Sequence, residues 1–248
     1  MGQETLSRFA AREHRGPEQP GGPGLGQTDV LPYRLLAPAA SYPERLPLVL
    51  LLHGAGERGT DNAAQLRNGT AELLGTAEAQ HRFPCYFVLP QCPAGSRWVE
   101  VDWGAHHHEL SRSPSGPMGL VLELVPRLIA ELPVDPERVY AIGLSMGGYG
   151  VWDLLSRRPE LFAGAVAICG GGDESQAERI APVPLWVFHG SDDAVVPVER
   201  SRRMVAALRQ AGAAPRYSEL PGVGHDSWTP AFHEPELLPW LFAQRLRP

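Results

Sequence analysis

Short runs of consecutive apolar residues recur along this chain and are separated by segments of mixed polarity. A strand that is apolar throughout is typical of a sheet buried on both faces, as in parallel sheets covered by helices. Between the runs lie segments with apolar residues at helical spacing, such as Met118–Leu132. This order predicts an α/β fold, with a doubly wound, mostly parallel sheet and helices on both faces. The runs are Leu48–His53, Tyr86–Leu89, Val139–Leu144, Ala163–Cys169 and Leu185–His189.

The chain is long enough, at 248 residues, to bury one large core. Residues 1–27 end in a stretch rich in proline and glycine, which predicts a flexible N-terminal segment. The α/β domain is therefore expected to cover residues 28–248. The connection Gly170–Pro184 joins two predicted strands and is too short for a large lid domain. We expect it to have little structure of its own and to leave the site open.

The distribution of charge limits the partners of this chain. The net charge is −6 and the two signs are interspersed, which argues against a nucleic-acid partner, and no basic block is long enough for a membrane surface. The N-terminus lacks the apolar core of a signal peptide, so we expect a cytoplasmic protein, with secretion left open if a leader was removed. A Cys85–Cys92 disulfide is an alternative to free thiols, although nothing else indicates an oxidising compartment. The sequence does not indicate an oligomeric state.

The segment Gly143-Leu144-Ser145-Met146-Gly147 matches the pattern G-x-S-x-G and lies where a predicted strand turns into a predicted helix. A serine on such a turn is exposed at the carboxyl end of the sheet, and side chains at the two flanking glycines would clash with the adjacent strand and helix. The positive end of the following helix points toward an anion formed at the serine. The context predicts that Ser145 is a nucleophile, whereas the bare pentad would also fit a glycine-rich turn.

A serine hydroxyl needs a base, and in folds with this turn an acid and then a histidine follow the serine in the chain. The strand Leu185–His189 is followed by Asp192 and Asp193, and the strand Arg216–Leu220 is followed by a glycine-rich loop that contains His225. The carboxyl ends of parallel strands share one edge, so these loops are expected to converge. On the residues alone, either aspartate fits the role of the acid.

The glycine-rich turn Leu52-His53-Gly54-Ala55-Gly56 follows the first buried run. Acyl transfer needs two N–H donors for the oxyanion, one from the residue after the nucleophile, here Met146, and one from a loop at this position. The polar residues that follow, which include Glu57 and Asp61, carry no role that the sequence assigns.

Other aromatic and histidine residues lie near these motifs. The run His106–His108 suggests a zinc site, but consecutive side chains point in different directions, so we predict no metal site and no cofactor. Trp228 lies three residues after His225. The candidates for pocket walls, each of which would also fit a core position, are Trp98, Trp103, Tyr149 and Trp228.

Four segments together resemble the carboxylesterase branch of the α/β-hydrolase superfamily: LLHGAGERG, GLSMGGYG, HGSDDAVVP and GVGHDSW. The similarity extends to the phospholipase/carboxylesterase, dienelactone hydrolase-like and polyhydroxybutyrate depolymerase or feruloyl esterase-like groups. The resemblance implies that Asp193 is the acid and that Ala55 supplies the second oxyanion donor. Dienelactone hydrolases proper have cysteine at the turn, whereas this chain has Ser145, which favours ordinary ester hydrolysis.

The resemblance therefore implies a serine carboxylesterase that acts on short acyl or aryl esters, free or carried on a polymer. One alternative is a serine peptidase of the prolyl-oligopeptidase type, whose catalytic domain shares this motif order. A second alternative is a binding protein that uses the same scaffold without catalysis. Residues 1–27 are too few to supply the gating domain of such peptidases.

Overall fold

The computed structural model describes residues 3–16, 30–38 and 40–246. Within these ranges the chain forms one sheet of eight strands. The strands are β1 (Ala10–Arg15), β2 (Val30–Leu36), β3 (Leu46–Leu52), β4 (Tyr86–Pro90), β5 (Val134–Leu144), β6 (Gly164–Ile168), β7 (Leu185–Gly190) and β8 (Arg216–Leu220).

The strands lie in the order β1-β2-β4-β3-β5-β6-β7-β8. Strands β1 and β2 are antiparallel to their neighbours, and every pairing from β4 to β8 is parallel. The central strands β3 and β6 are buried at every residue, as their apolar runs predict. Because β5, β7 and β8 run in the same direction, the loops that follow them lie at one edge of the sheet.

Helices cover both faces of the sheet, as predicted. The helices are α1 (Gln3–Ser7), α2 (Thr70–Gly75), α3 (Ala77–Arg82), α4 (Gly116–Glu131), α5 (Met146–Arg157), α6 (Ala177–Ile180), α7 (Glu199–Gln210), α8 (Trp228–Phe232) and α9 (Leu237–Phe242). One apolar core contains residues of α4, α5, α6 and α7, and the other contains residues of α2, α8 and α9. The predicted doubly wound α/β architecture is therefore confirmed.

The connection between β6 and β7 contains more structure than the sequence suggested. A short 3₁₀ helix, Glu174–Gln176, leads directly into α6. Asp173 caps this segment, because its side chain accepts a hydrogen bond from the N–H of Ser175. The expectation of little structure was therefore wrong, but the segment is compact and forms no large lid.

The N-terminal segment differs from its prediction. Residues 10–15 form strand β1, which pairs with β2, and Phe9 is buried against Phe87. The expectation of flexibility is therefore wrong for residues 3–16, and the rest of that segment up to residue 27 lies outside the described residues. The sequence AAREHR buries only His14, so this edge strand has no apolar run that would reveal it.

Two further sequence questions are answered by the structure. Cys85, Cys92 and Cys169 are all buried free thiols, so Cys85 and Cys92 are not bridged. None of the helices formed by the described residues combines the length and apolar character that crossing a membrane requires.

Candidate functional site

Ser145 occupies a strained turn between β5 and α5. Its backbone angles are φ 53° and ψ −118°, a combination that is rare for a residue with a side chain. The N–H of Ser145 donates to the carbonyl of Ile168 at 2.9 Å, which ties the turn to β6. A Cβ on Gly143 would lie 2.1 Å from the carbonyl oxygen of Gly147. The turn therefore has no room for a side chain at this position, as the sequence pattern predicted.

Asp193 lies in the loop after β7, and its side chain is fully buried. Its Oδ1 accepts hydrogen bonds from the N–H groups of Val195 and Val196 at 2.8 and 2.9 Å. Burial by itself raises the pKa of Asp193, but hydrogen bonds donated by His189, His225 and these two amides outweigh it and hold the pKa well below its ordinary value. The carboxylate is therefore ionised at neutral pH.

The neighbouring aspartate has a different environment. Asp192 is exposed, and its Oδ1 accepts a hydrogen bond from the hydroxyl of Ser191. Of the two aspartates that the sequence left open, the structure brings Asp193 to His225.

His225 lies in the loop after β8 and joins the other two side chains. Its Nδ1 is 2.8 Å from Oδ2 of Asp193, and its Nε2 is 2.8 Å from Oγ of Ser145. An ionised carboxylate accepts but does not donate, so Nδ1 carries the proton. Nε2 is then free to accept the hydroxyl proton of Ser145. The arrangement can therefore remove a proton from the serine.

The loops that carry Asp193 and His225 are held together by their own backbone. A Cβ on Gly190 would lie 2.2 Å from the carbonyl oxygen of Val223, so only glycine lets the second loop pack against the end of β7. The N–H of Asp192 donates to that same carbonyl at 3.0 Å. The hydroxyl of Ser191 also accepts from the N–H of Gly222, which has a φ of 71°.

The two predicted oxyanion donors lie at the starts of two different elements next to the serine. Ala55 begins a 3₁₀ turn and Met146 begins α5, and the first N–H groups of a helix have no partner inside the helix. Gly147 packs on the end of β3, where a Cβ would lie 1.9 Å from the carbonyl oxygen of Leu52. A Cβ on Gly54 would lie 3.7 Å from Cβ of Ser145, so the loop and the turn are in contact. The loop that carries Ala55 therefore lies beside Ser145, and the role of the Ala55 and Met146 amides as oxyanion donors stays a prediction.

The polar residues after this loop brace it. Glu57 is buried, its Oε1 accepts a hydrogen bond from the side chain of Asn68 at 2.6 Å, and burial raises its pKa. Asp61 accepts hydrogen bonds at Oδ1 from the N–H groups of Ala64 and Ala63 and from Gln91. The hydrogen bond from Ala64, followed by those from Gln91 and Ala63, lowers the pKa of Asp61 to about 2.

The four predicted pocket walls divide into two groups. Trp98 and Tyr149 are 0% and 1% exposed, and both donate to backbone carbonyls, of His53 and Trp103 respectively. They belong to the core, which the sequence left open as the alternative for each, because they are buried and their polar atoms are satisfied inside the protein. Trp103 and Trp228 are half-buried, and Trp228 packs edge-on against the ring of His225 at 5.5 Å.

The run His106–His108 lies next to α7, and two of its residues contact arginines of that helix. Nδ1 of His108 accepts a hydrogen bond from Arg200 at 2.5 Å, and burial lowers the pKa of His108 to about 4. The carbonyl of His106 accepts from Arg203, and His107 is exposed. One group of three side chains of the types that bind metals comes together within the described ranges, and none of them is in this run. The potential ligand atoms, which lie within 4.8 Å of one another, belong to Cys169, Asp193 and His225.

Two residues at this edge were not assigned a role from the sequence. Cys169 follows β6 directly, has a φ of 41° and lies beside Asp193 and His225. His189 is the second-last residue of β7. Its Nε2 is 3.3 Å from Oδ2 of Asp193, and both side chains are fully buried. The signal in the sequence was its position four residues before Asp193, which becomes informative only once the loop geometry is known.

Comparisons with other proteins agree with this geometry. A thermostable esterase of known structure is 40% identical, with a TM-score of 0.88 over 98% of this chain and 64% of that chain. NocK of Nocardia uniformis subsp. tsuyamanensis, a protein named as an esterase, is 30% identical over 67% of this chain and 46% of its own length. Poly(3-hydroxyalkanoate) depolymerase C of Paucimonas lemoignei is 30% identical over 53% of this chain and 30% of its own.

The chain thus spans less than two thirds of each of these proteins. The family described as Phospholipase/Carboxylesterase matches residues 39–234, which include the serine turn and the loops of the aspartate and the histidine. On this match, together with the sheet order and the thermostable esterase structure, the chain belongs to the phospholipase/carboxylesterase family of α/β-hydrolases.

Proposed function

We propose that this chain is a serine carboxylesterase, in which Ser145 is the nucleophile, His225 the base and Asp193 the acid that orients the histidine. The observation that carries the proposal is the continuous series of hydrogen bonds from Oγ of Ser145 through His225 to Asp193, with both distances 2.8 Å. A serine, a histidine and an ionised carboxylate in this order are the parts that acyl transfer requires.

In the first half of the reaction, His225 takes the hydroxyl proton as Oγ of Ser145 attacks the ester carbonyl. The N–H groups of Ala55 and Met146 hold the negative charge that forms on the carbonyl oxygen, and each donor is worth about 3 kcal/mol to the transition state. Asp193 stabilises the imidazolium form of His225 and keeps its proton on Nδ1.

In the second half, the alcohol leaves with the proton from Nε2 of His225, and Ser145 remains as an acyl ester. Water then attacks that ester, with His225 again acting as base, and the acid product is released. The route uses only side chains and amides of this chain, so it requires no metal or organic cofactor.

The substrate class follows from the shape of the site and the names of the relatives. The side chain of His225 is 22% exposed, and no large lid formed by the described residues covers it, which favours direct access for short acyl or aryl esters. Trp103 and Trp228 are the proposed pocket walls, because they are the half-buried aromatics among the predicted four. The similarity to a depolymerase supports an ester carried on a polymer as a second form of the same substrate.

A panel of p-nitrophenyl esters of increasing acyl length, beside a prolyl peptide amide and a suspension of poly(3-hydroxybutyrate), tests the proposal. We expect turnover of the short esters and its loss in Ser145→Ala. The loss should exceed about 10³-fold, since it removes the nucleophile. Release of soluble hydroxyacid from the suspension would identify a polymer substrate.

The same panel separates the alternatives. Cleavage of the peptide amide without turnover of any ester would identify the peptidase instead. Inertness toward every substrate, in a folded protein that still binds an ester, would identify a binding protein. Esterases and a depolymerase, rather than peptidases, are the relatives that share 30% identity or more among those compared above. A cytoplasmic location stays a prediction from the sequence.

A further inference from the structure

A second histidine lies behind the acid of the site. His189 is the second-last residue of β7, its side chain has no exposed surface, and the mechanism above does not use it. It pairs in the sheet with Glu219 of β8. A fully buried polar ring needs hydrogen-bond partners, so the partners of His189 indicate its role.

The proton on His189 can be located from its neighbours. Nε2 lies 2.9 Å from the carbonyl oxygen of Val196 and 3.3 Å from Oδ2 of Asp193. Neither a carbonyl nor an ionised carboxylate can donate, so Nε2 carries a proton. It donates to the carbonyl of Val196, and Oδ2 of Asp193 is a second, longer polar contact of the same N–H. Nδ1 lies 2.7 Å from Oγ of Ser201, whose one hydroxyl proton goes either to Nδ1 or to the carbonyl oxygen of Gly170 at 3.2 Å.

Oδ2 of Asp193 is therefore shared by two imidazole rings. His225 donates to it from the solvent side at 2.8 Å, and the protonated Nε2 of His189 faces it from the interior at 3.3 Å. The carbonyl of Val196 also accepts from His189, and the N–H of the same residue donates to Oδ1. His189 thus holds the carboxylate and the turn beneath it as one unit, independently of His225.

We propose that His189 is a positioning residue for catalysis: its Nε2–H fixes Oδ2 of Asp193 in the orientation in which that oxygen meets Nδ1 of His225. His189 does not touch the substrate, and its effect passes through Asp193. The inference rests on the proposed function, in which Asp193 orients His225. Without the interior donor, the carboxylate has one fewer partner and a wider range of rotation, so fewer molecules hold His225 ready.

Two replacements of His189 separate its hydrogen bond from its bulk. His189→Gln keeps an amide donor near the position of Nε2, whereas His189→Met fills similar space without a donor. We expect kcat to fall about 10- to 100-fold in His189→Met with KM unchanged, the loss typical of a hydrogen bond to a charged group. His189→Gln should recover most of that loss. Val187→Ala, at a fully buried apolar position of β7, is the control for simple destabilisation and should keep its kcat.

Proton NMR of the wild type and the variants gives a readout that does not depend on turnover. The downfield signal of the Nδ1 proton of His225, bonded to Asp193, should shift or broaden in His189→Met and stay near its wild-type position in His189→Gln. In the wild type, ¹⁵N spectra should show a proton on Nε2 of His189. This last measurement applies even if His189→Met does not fold.

Three results would overturn the inference: wild-type kcat in a folded His189→Met, equal impairment of the Gln and Met variants, or an Nε2 of His189 without a proton. Ser145→Ala and Asp193→Asn, assayed in parallel, keep the two proposals distinguishable. If Asp193→Asn is inactive while His189→Met is fully active, only the role of His189 fails. If Asp193→Asn is fully active, the proposed acid itself is wrong.

Discussion

The carboxyl ends of the parallel strands and the antiparallel edge of the sheet differ in what fixes their structure. At the carboxyl ends, the loops after β5, β7 and β8 are joined by specific side-chain hydrogen bonds. At Gly143, Gly147 and Gly190, other backbone atoms lie within 2.2 Å of the position that a Cβ would take. At the antiparallel edge, β1 is held by main-chain pairing with β2, and most of its side chains are exposed. The first region depends on individual side chains, whereas the second depends on a ladder that many sequences can form.

This contrast separates the causes of activity and of stability. A substitution of a catalytic side chain at the carboxyl ends of the strands is expected to change kcat at a nearly constant free energy of unfolding. A substitution of one of the glycines there is expected to be incompatible with the backbone. A substitution at the antiparallel edge is expected to change the free energy of unfolding and leave kcat unchanged. Four predictions, from the largest effect to the smallest, can break or sharpen this division.

The largest effect is expected for Gly147→Ala. Its Cβ would lie 1.9 Å from the carbonyl oxygen of Leu52, so either the serine turn or β3 has to move, and activity should fall below detection. Gly119→Ala in α4 is the matched control, because its Cβ would meet only Pro114 at 3.8 Å. This control should raise stability by about 0.5–1 kcal/mol and keep full activity. Esterase assays with thermal melts test both, and an active Gly147→Ala would show that the turn tolerates a side chain.

A loss of about 10³- to 10⁴-fold in kcat is expected for Asp193→Asn, since the amide no longer fixes the tautomer of His225. Asp192→Asn, one residue away and exposed, should stay within about twofold of wild type because Asp192 contacts Ser191 and not His225. Steady-state kinetics of the two variants measure the difference. The reverse order of the two losses would contradict the assignment of the acid.

At the antiparallel edge, Phe9→Ala is expected to lower the free energy of unfolding by about 3–5 kcal/mol, the usual cost of a buried phenylalanine. Phe9 is 2% exposed and packs edge-on against Phe87 of β4. Because the serine lies across the sheet, kcat of the folded fraction should not change. Denaturant titration and kinetics below the unfolding midpoint test this, and a large drop in kcat would link the two edges.

The smallest effect concerns pH. Burial lowers the pKa of His53 to about 4, and its Nε2 accepts a hydrogen bond from the N–H of Cys92, so the folded state holds this ring neutral. The unfolded chain takes up a proton below about pH 6.5, so its proton uptake costs stability as the pH falls from there toward 4. The cost reaches about 3 kcal/mol and then levels off. Urea titrations at several pH values should show a steeper slope in wild type than in His53→Gln, where His108, whose pKa is also lowered to about 4, still contributes; equal slopes would contradict the role of His53.

Much of the fold was predictable because the buried strands have a strong local signal. The apolar runs located β3 to β7 within a few residues, and the strand before Ser145 identified the serine turn. Strand β1 was not predicted because its side chains are mostly exposed and it is held by backbone pairing with β2, which leaves no apolar pattern in the sequence. Trp98, in the long loop after β4, and Tyr149, in α5, belong to the core, which the sequence left open because the pattern of an aromatic residue fits a pocket and a core equally well. The role of His189 required distances across the loop after β7, which spacing in the sequence does not give.

The sequence by itself determined the buried strands and the chemical groups in the loops that follow them. Hydrophobic periodicity and glycine at sharp turns act over a few residues, so a local pattern reveals them. The tertiary structure decided which aspartate meets His225, which aromatics stay near the surface, and that a second histidine lies 3.3 Å from the same carboxylate. Those outcomes depend on angles and distances between loops that are far apart in the chain. They are set by how β7 and β8 pair and how tightly glycine lets their loops approach.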